Sequence, residues 1–145
     1  MVEVGKPRNF REYKVCRDSV EYATYVYQIT SQMPWFEKKG LCDQLQRAAV
    51  GISSNIAEGA AKPTKADFAS FLDLALGSAY EVETQLLISK NVGYLDEEKY
   101  NDMLIRIVSI QKQLVAFIRS IRAKKWLFVY TFRKSLFRSF SVTSS

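Results

Sequence analysis

Apolar residues recur every three or four positions along most of the first 124 residues, and no stretch there alternates as a strand does. Four segments carry this helical period. The first spans about residues 10–30, with Tyr13, Cys16, Val20, Ala23 and Tyr27 on one stripe, and stops ahead of Pro34. The second spans about 41–58; Leu41, Leu45, Ala48, Ile52 and Ile56 align, and Gly59 is placed as a C-terminal stop. The third spans about 64–91, with Thr64 as its cap, Asp67 in its first turn and a stripe of Phe68, Leu72, Ala75, Ala79, Val82 and Leu86. It ends near Asn91, ahead of Gly93. The fourth spans about 96–124, opens on Asp96-Glu97-Glu98, and aligns Tyr100, Met103, Ile107, Ile110, Leu114, Phe117 and Ile121. Stripes of this kind read as bundle core before they read as a cofactor box. Short connections between four helices predict an all-α fold, an antiparallel up-down-up-down four-helix bundle over residues 10–124. An N-terminal arm (1–9) precedes it, and a basic aromatic tail (125–145) lies outside the fold.

Composition narrows the chemistry. Six Gly and three Pro in 145 residues are too few for the turns of an all-β sandwich. The absence of His excludes Ser-His-Asp and Cys-His nucleophilic machinery and His-ligated zinc or di-iron sites. No run approaches the roughly 20 apolar residues of a membrane span, and the opening MVEVGKPRNF lacks the apolar core of a secretory signal. A soluble cytoplasmic protein is expected. Cys16 falls roughly 21 Å along the first helix from the end where Cys42 begins the second. That exceeds the ~7 Å a disulfide spans, so both are expected as free thiols.

The net charge of +6 is concentrated in the tail, where Lys124, Lys125, Arg133, Lys134 and Arg138 stand with no acid. Antiparallel topology adds a second basic feature. It brings the start of the first helix, the turn between the second and third, and the end of the fourth to one end of the bundle. Those places hold Arg8, Arg11 and Lys14, then Lys62 and Lys65, then Arg119, Arg122, Lys124 and Lys125. The opposite end holds Lys38 and Lys39 with Asp96, Glu97, Glu98 and Asp102. The nine basic residues are the candidate RNA contacts, since clustered cations suit a phosphate backbone. The plainer reading is helix-end charge complementarity and solubilising charge.

Two helix faces carry further signals. The first helix has a second apolar stripe, Val15, Tyr22, Val26 and Ile29, and the third has Leu74, Gly77 and Ile88 opposite its core stripe. A lone bundle hides one stripe per helix, so these seven residues are the expected interface of a homo-oligomer. Scattered exposed apolar residues are the ordinary alternative. The second helix has a polar stripe of Gln44, Arg47, Gly51, Asn55 and Glu58. Gly51 costs roughly 1 kcal/mol relative to Ala inside a helix, which suggests a groove for a partner or ligand. Otherwise the stripe is a solvated face on which Arg47 pairs with Gln44 or another neighbour.

No catalytic constellation assembles. Glu58-Gly-Ala-Ala-Lys62-Pro-Thr-Lys65 is a poor phosphate loop without the second glycine before Lys-Ser/Thr. Glu81 and Glu83 stand about 200° apart on a helix and do not converge. The chain reads as a non-enzyme with no cofactor and no metal.

The stretch Gln46-Arg47-Ala48-Ala49-Val50-Gly51-Ile52-Ser53-Ser54-Asn55-Ile56-Ala57-Glu58-Gly59 resembles the RRA..SI.SNIAEG signature of the 23S rRNA intervening-sequence protein family, also called four helix bundle proteins. Further matches are Phe10-Arg11-Glu12-Tyr13, Pro34, Asp67-Phe68, Phe71-Leu72, Ala75, Gly77-Ser78, Glu81 to Leu86 and Gly93-Tyr94-Leu95, covering about residues 8–123. The resemblance implies an antiparallel four-helix bundle, often encoded within insertions in bacterial 23S rRNA genes, that forms ring-like homo-oligomers, reported as pentamers. It has no associated catalysis. The chain is also similar to the accessory protein of diversity-generating retroelements, a basic bundle that binds RNA and reverse transcriptase. The signature makes Arg47, Asn55, Glu58 and Gly59 the family positions, which with Gly51 form the candidate partner groove; Gln46 departs from the usual second Arg. The tail departs as well. Its aromatics mixed with Arg suit single-stranded RNA or an anionic membrane surface, while the simpler reading is an added extension without a role. The expected function is an RNA- or ribosome-associated homo-oligomer; the alternative is an oligomeric protein-interaction scaffold that binds no nucleic acid.

Overall fold

The structure, a computed structural model, describes residues 7–140, with the backbone alone described over 124–130 and 136–140. The described residues are all-helical: α1 (Lys14–Thr30), α2 (Leu41–Ala60), α3 (Lys65–Asn91) and α4 (Glu97–Phe140), with 3-10 turns at Phe10–Glu12 and Trp35–Glu37. They form an antiparallel up-down-up-down bundle around Leu45, Ile52, Ile56, Leu72, Leu86, Met103, Ile107 and Leu114, all fully buried. Each such side chain contributes roughly 1.5–3 kcal/mol of transfer free energy.

The helix ends follow local chemistry. Thr64 Oγ1 accepts from the Asp67 backbone N–H at 3.1 Å, and Asp96 Oδ1 accepts from the Lys99 N–H at 2.8 Å, so α3 and α4 begin on side-chain caps. α3 ends in a Schellman motif: Tyr94 N–H reaches Ser89 O at 2.8 Å and Gly93 N–H reaches Lys90 O at 3.0 Å. Gly93 has φ +84°, a conformation that needs glycine. Gly59, by contrast, lies inside α2, whose last residue is Ala60, and is not the stop expected of it. α1 starts at Lys14, later than expected, because Tyr13 is extended and residues 10–12 form a separate turn.

The core face of α1 differs from the expected one. Val15, Tyr22, Val26 and Ile29, assigned above to an oligomer interface, are buried in the bundle core. Val20 and Tyr27, assigned to that core, are 53% and 51% exposed. The reason lies in two polar residues. Ser19 Oγ donates to Val15 O at 2.6 Å and Thr30 Oγ1 donates to Val26 O at 2.9 Å. Bonded back to their own helix, both are buried, and they join the two expected stripes into one arc of about 140° at ~100° per residue. On α3, Leu74, Gly77 and Ile88 do lie on the exposed outer face.

α2 and α3 approach closely through glycine. A Cβ on Gly59 would stand 2.6 Å from Phe71 Cβ and 3.0 Å from Phe68 Cδ2; one on Gly51 would stand 3.1 Å from Ser78 Oγ. Both glycines are therefore occupied by α3, and no partner groove opens at Gly51 or Gly59. Cys16 and Cys42 are buried free thiols. Burial raises both pKa values, assisted at Cys42 by the Glu37 carboxylate.

α4 continues to Phe140, past the end expected near residue 124. Its 44 residues are about 66 Å long at 1.5 Å per residue.

Candidate functional site

The basic end is assembled by contacts distant in sequence. The Arg8 guanidinium donates to Lys62 O at 2.6 Å and lies 4.8 Å over the Phe68 ring. These two contacts pin the N-terminal arm to the α2–α3 turn. Beneath them Tyr13, Phe68 and Phe117 pack together, with centroids 4.9 Å (Tyr13–Phe117), 5.4 Å (Phe68–Phe117) and 6.1 Å (Tyr13–Phe68) apart, joining the starts of α1 and α3 to α4. Burial raises the Tyr13 pKa, with Arg8 opposing. Arg17, which sequence reasoning missed, holds the 10–12 turn by donating to Arg11 O at 3.0 Å and Glu12 O at 2.8 Å. No local spacing signals such a capping arginine or the Arg8–Phe68 stack, because the partners of the stack lie 60 positions apart.

The candidate cations fall into two groups. Lys14 pairs with Asp18, and Arg122 pairs with Asp73. At Asp18 burial acts to raise the carboxyl pKa, but hydrogen bonds from Lys14 and Gln113 with the nearby cations outweigh it and bring it below the usual range. Arg11 and Lys62 instead lie over aromatic rings, 4.6 Å from Phe10 and 4.8 Å from Phe71. Lys65 and Arg119 are exposed. A cation over a ring face keeps its charge available to an incoming anion, whereas an ion pair is already half neutralised. Arg8, Arg11, Lys62, Lys65 and Arg119 are thus the candidate cations with no carboxylate partner among the described residues. The Lys124 and Lys125 side chains lie outside the described ones.

The opposite end is balanced, not acidic. Asp96 pairs with Lys99, Glu97 with Lys90 and Asp102 with Arg106, at 3.9, 3.8 and 3.2 Å. Glu37 Oε1 accepts from the Tyr94 hydroxyl at 3.0 Å, which raises the tyrosine pKa, and Glu37 Oε2 accepts from the Leu41 N–H. The electrical asymmetry comes from one cationic pole. The balanced end also carries Trp35, 86% exposed, beside a hollow of about 420 Å³ lined by Tyr27, Met33, Pro34 and Cys42.

Along the polar stripe of α2 the bonds stay within the helix. Arg47 Nε donates to Asp43 at 2.9 Å and Asn55 Nδ2 donates to Gly51 O at 2.8 Å; Glu58 is exposed. Gln46, the departure from the signature, donates to Thr30 Oγ1 at 2.8 Å and ties α2 to α1. Glu81 accepts from Gln85 on its own helix, while Glu83 accepts from Gln111 of α4, so the two acids serve separate contacts. Among the described residues no cluster of three or more Cys, Asp and Glu is arranged to hold a metal ion.

The model of the 23S rRNA-intervening sequence protein family matches residues 11–116. A crystal structure of a protein of unknown function from the S23 ribosomal protein family of Bacteroides thetaiotaomicron is similar, with a TM-score of 0.67 and 27% identity. The match covers 72% of this chain and 98% of that one. No curated protein matches the chain.

Proposed function

This chain belongs to the 23S rRNA-intervening sequence protein family, and we propose that it is a non-enzymatic RNA-binding bundle that contacts phosphates with its cationic end. One observation carries the reading. Arg8 locks the arm onto the α2–α3 turn, which brings Arg11, Lys62 and Lys65 to the end that also carries Arg119, and among the described residues no carboxylate pairs with these four. The names of the family and of its solved relative, an intervening sequence of 23S rRNA and a ribosomal protein family, favour RNA as the polyanion. Self-association belongs to the same reading. With Val15, Tyr22, Val26 and Ile29 in the core, the exposed apolar residues that remain for it include Val20 and Tyr27 on α1, Leu74 and Ile88 on α3 and Ile105 on α4. The scaffold alternative loses its α2 groove to α3 at Gly51 and Gly59.

The test is binding of the full chain to 23S rRNA fragments across a salt series. Affinity should fall steeply with salt as counterions are released. The triple substitution Arg11→Gln, Lys62→Gln and Lys65→Gln should flatten the log–log slope by about 2, at ~0.7 per lost single-strand phosphate contact. Arg8 is left intact because it anchors the arm. An absence of binding at low salt, or a slope untouched by the triple variant, refutes the cationic end as the RNA surface.

A further inference from the structure

We propose that the hollow beside Trp35, at the end of the bundle away from the cationic cluster, binds one unpaired base of single-stranded RNA. Trp35 is 86% exposed, more than any other large apolar side chain among the described residues. An indole left in water forgoes the burial that tryptophan ordinarily supplies. This one is nevertheless held in place. It opens the turn Trp35–Glu37, which is closed by the Glu37 N–H on Pro34 O at 2.9 Å and the Lys38 N–H on Trp35 O at 3.2 Å. Its ring meets Phe36 edge-to-face at 6.1 Å, and Phe36 meets Tyr94 in the same way at 6.3 Å. The Tyr94 hydroxyl donates to Glu37, which ties the array to the α3–α4 connection. The exposed indole is a supported platform.

The hollow itself measures about 420 Å³, within the range of small-molecule sites. Its apolar lining includes Met33 and Cys42, both buried, with their sulfurs 3.6 Å apart. Its polar lining includes Thr30 and Gln46. Gln46 Nε2 donates to Thr30 Oγ1 at 2.8 Å, and Thr30 Oγ1 donates to Val26 O at 2.9 Å, so the amide is oriented from behind. The second Gln46 N–H and the amide oxygen make no bond among the described residues. That leaves one donor and one acceptor, the pair with which an amide reads the edge of adenine. Lys38 also lines the hollow, exposed and without a carboxylate partner among the described residues; the adjoining Glu37 is held by Tyr94 and the Leu41 N–H. An acyl chain would leave Gln46 and Lys38 unmatched, and free phosphate would leave the indole in water. An unpaired nucleotide offers a π face to Trp35, a polar edge to Gln46 and a phosphate to Lys38. The choice of RNA rests on the reading above, but the site shares no residue with the cationic end.

The experiment uses the full chain with Trp126→Phe, which leaves Trp35 as its one indole. Tetraadenylate should quench the Trp35 emission, and an abasic ribose-phosphate tetramer should not. Trp35→Ala should weaken tetraadenylate binding about tenfold by anisotropy of the labelled oligonucleotide, with Tm unchanged because the side chain is exposed. The 20 residues of α2 separate the two ends by about 30 Å, more than four nucleotides span. Quenching should therefore persist in the triple Arg11, Lys62 and Lys65 variant. Persistence while 23S rRNA fragments ignore that variant would support this site and refute the cationic end alone. No quenching at low salt, equal quenching by the abasic tetramer, quenching abolished in the triple variant, or binding unchanged by Trp35→Ala each overturns the proposal.

Discussion

The two seams that α2 and α4 make with their neighbours are built on opposite plans. α2 meets α3 through missing side chains: Gly59 receives Phe68 and Phe71, and Gly51 receives Ser78. α1 meets α4 through long polar reaches. Tyr22 Oη donates to Met103 O at 3.2 Å, Gln113 donates to Asp18 at 2.9 Å, and Arg106 lies 4.6 Å from the Tyr25 ring centre. A groove of about 310 Å³ remains open along that seam, lined by Glu21, Ile105 and Ser109 among others. Small residues fix a distance between helix axes and tolerate little change, because interiors are close-packed. Polar bridges fix a register and tolerate a gap. The difference shows what the family signature encodes. Its Gly59 sets how near α3 can come, and its Arg47 and Asn55 bond within α2.

The sharpest break of this comparison is at Gly59. Phe71 Cβ is anchored to its backbone and cannot swing aside, so a leucine there must push α3 away. Gly59→Leu should cost about 3 kcal/mol and lower Tm by roughly 10 °C in a thermal scan. An unchanged Tm means that α2 and α3 are not close-packed.

A smaller effect is expected at the open seam. Burial raises the Tyr22 pKa well above its ordinary value near 10, with Tyr25 adding to the rise and Arg106 opposing it. The folded state holds the neutral phenol. Its contribution is fully present below about pH 10, the unfolded pKa, and is lost as pH rises toward the folded value. Tyr22→Phe removes one hydrogen bond, costing about 1 kcal/mol at neutral pH. It also removes that residue's share of alkaline destabilisation, so urea midpoints of variant and parent should converge between about pH 8 and about pH 11. Parallel midpoints across that range would show that the Tyr22 hydroxyl is not held neutral by the fold.

Much of this architecture is legible in the chain because the cues are local. Thr64 and Asp96 announce helix starts, Gly93 announces a stop, and the core stripes of α2, α3 and α4 follow the period. α1 defeats the period because Ser19 and Thr30 count as polar in a hydropathy pattern, yet bond to their own helix and bury. Gly59 looks like a stop for a similar reason: sequence shows only the missing side chain, and whether φ is positive or a phenylalanine fills the space is decided across helices. The cationic end was readable from topology, but its division into ion-paired and ring-stacked cations was not. Asp73, Phe68 and Phe71 reach it from another helix.

The smallest predicted effect separates the two meanings of Gly51 most cleanly. An alanine there gains about 1 kcal/mol of helix propensity, but its Cβ meets Ser78 Oγ at 3.1 Å, tighter than ordinary contact. The hydroxyl can rotate away at a cost of similar size, so Gly51→Ala alone should leave stability within about 0.5 kcal/mol of the parent. Ser78→Ala removes the oxygen and leaves Ser78 Cβ at 3.7 Å, an ordinary contact. In that background Gly51→Ala should be stabilising by most of the 1 kcal/mol, and the double-mutant cycle should return a coupling of about that difference. A glycine kept open for an outside partner has no reason to couple to Ser78. Zero coupling, with Gly51→Ala stabilising in both backgrounds, would restore the groove that α3 fills in this structure.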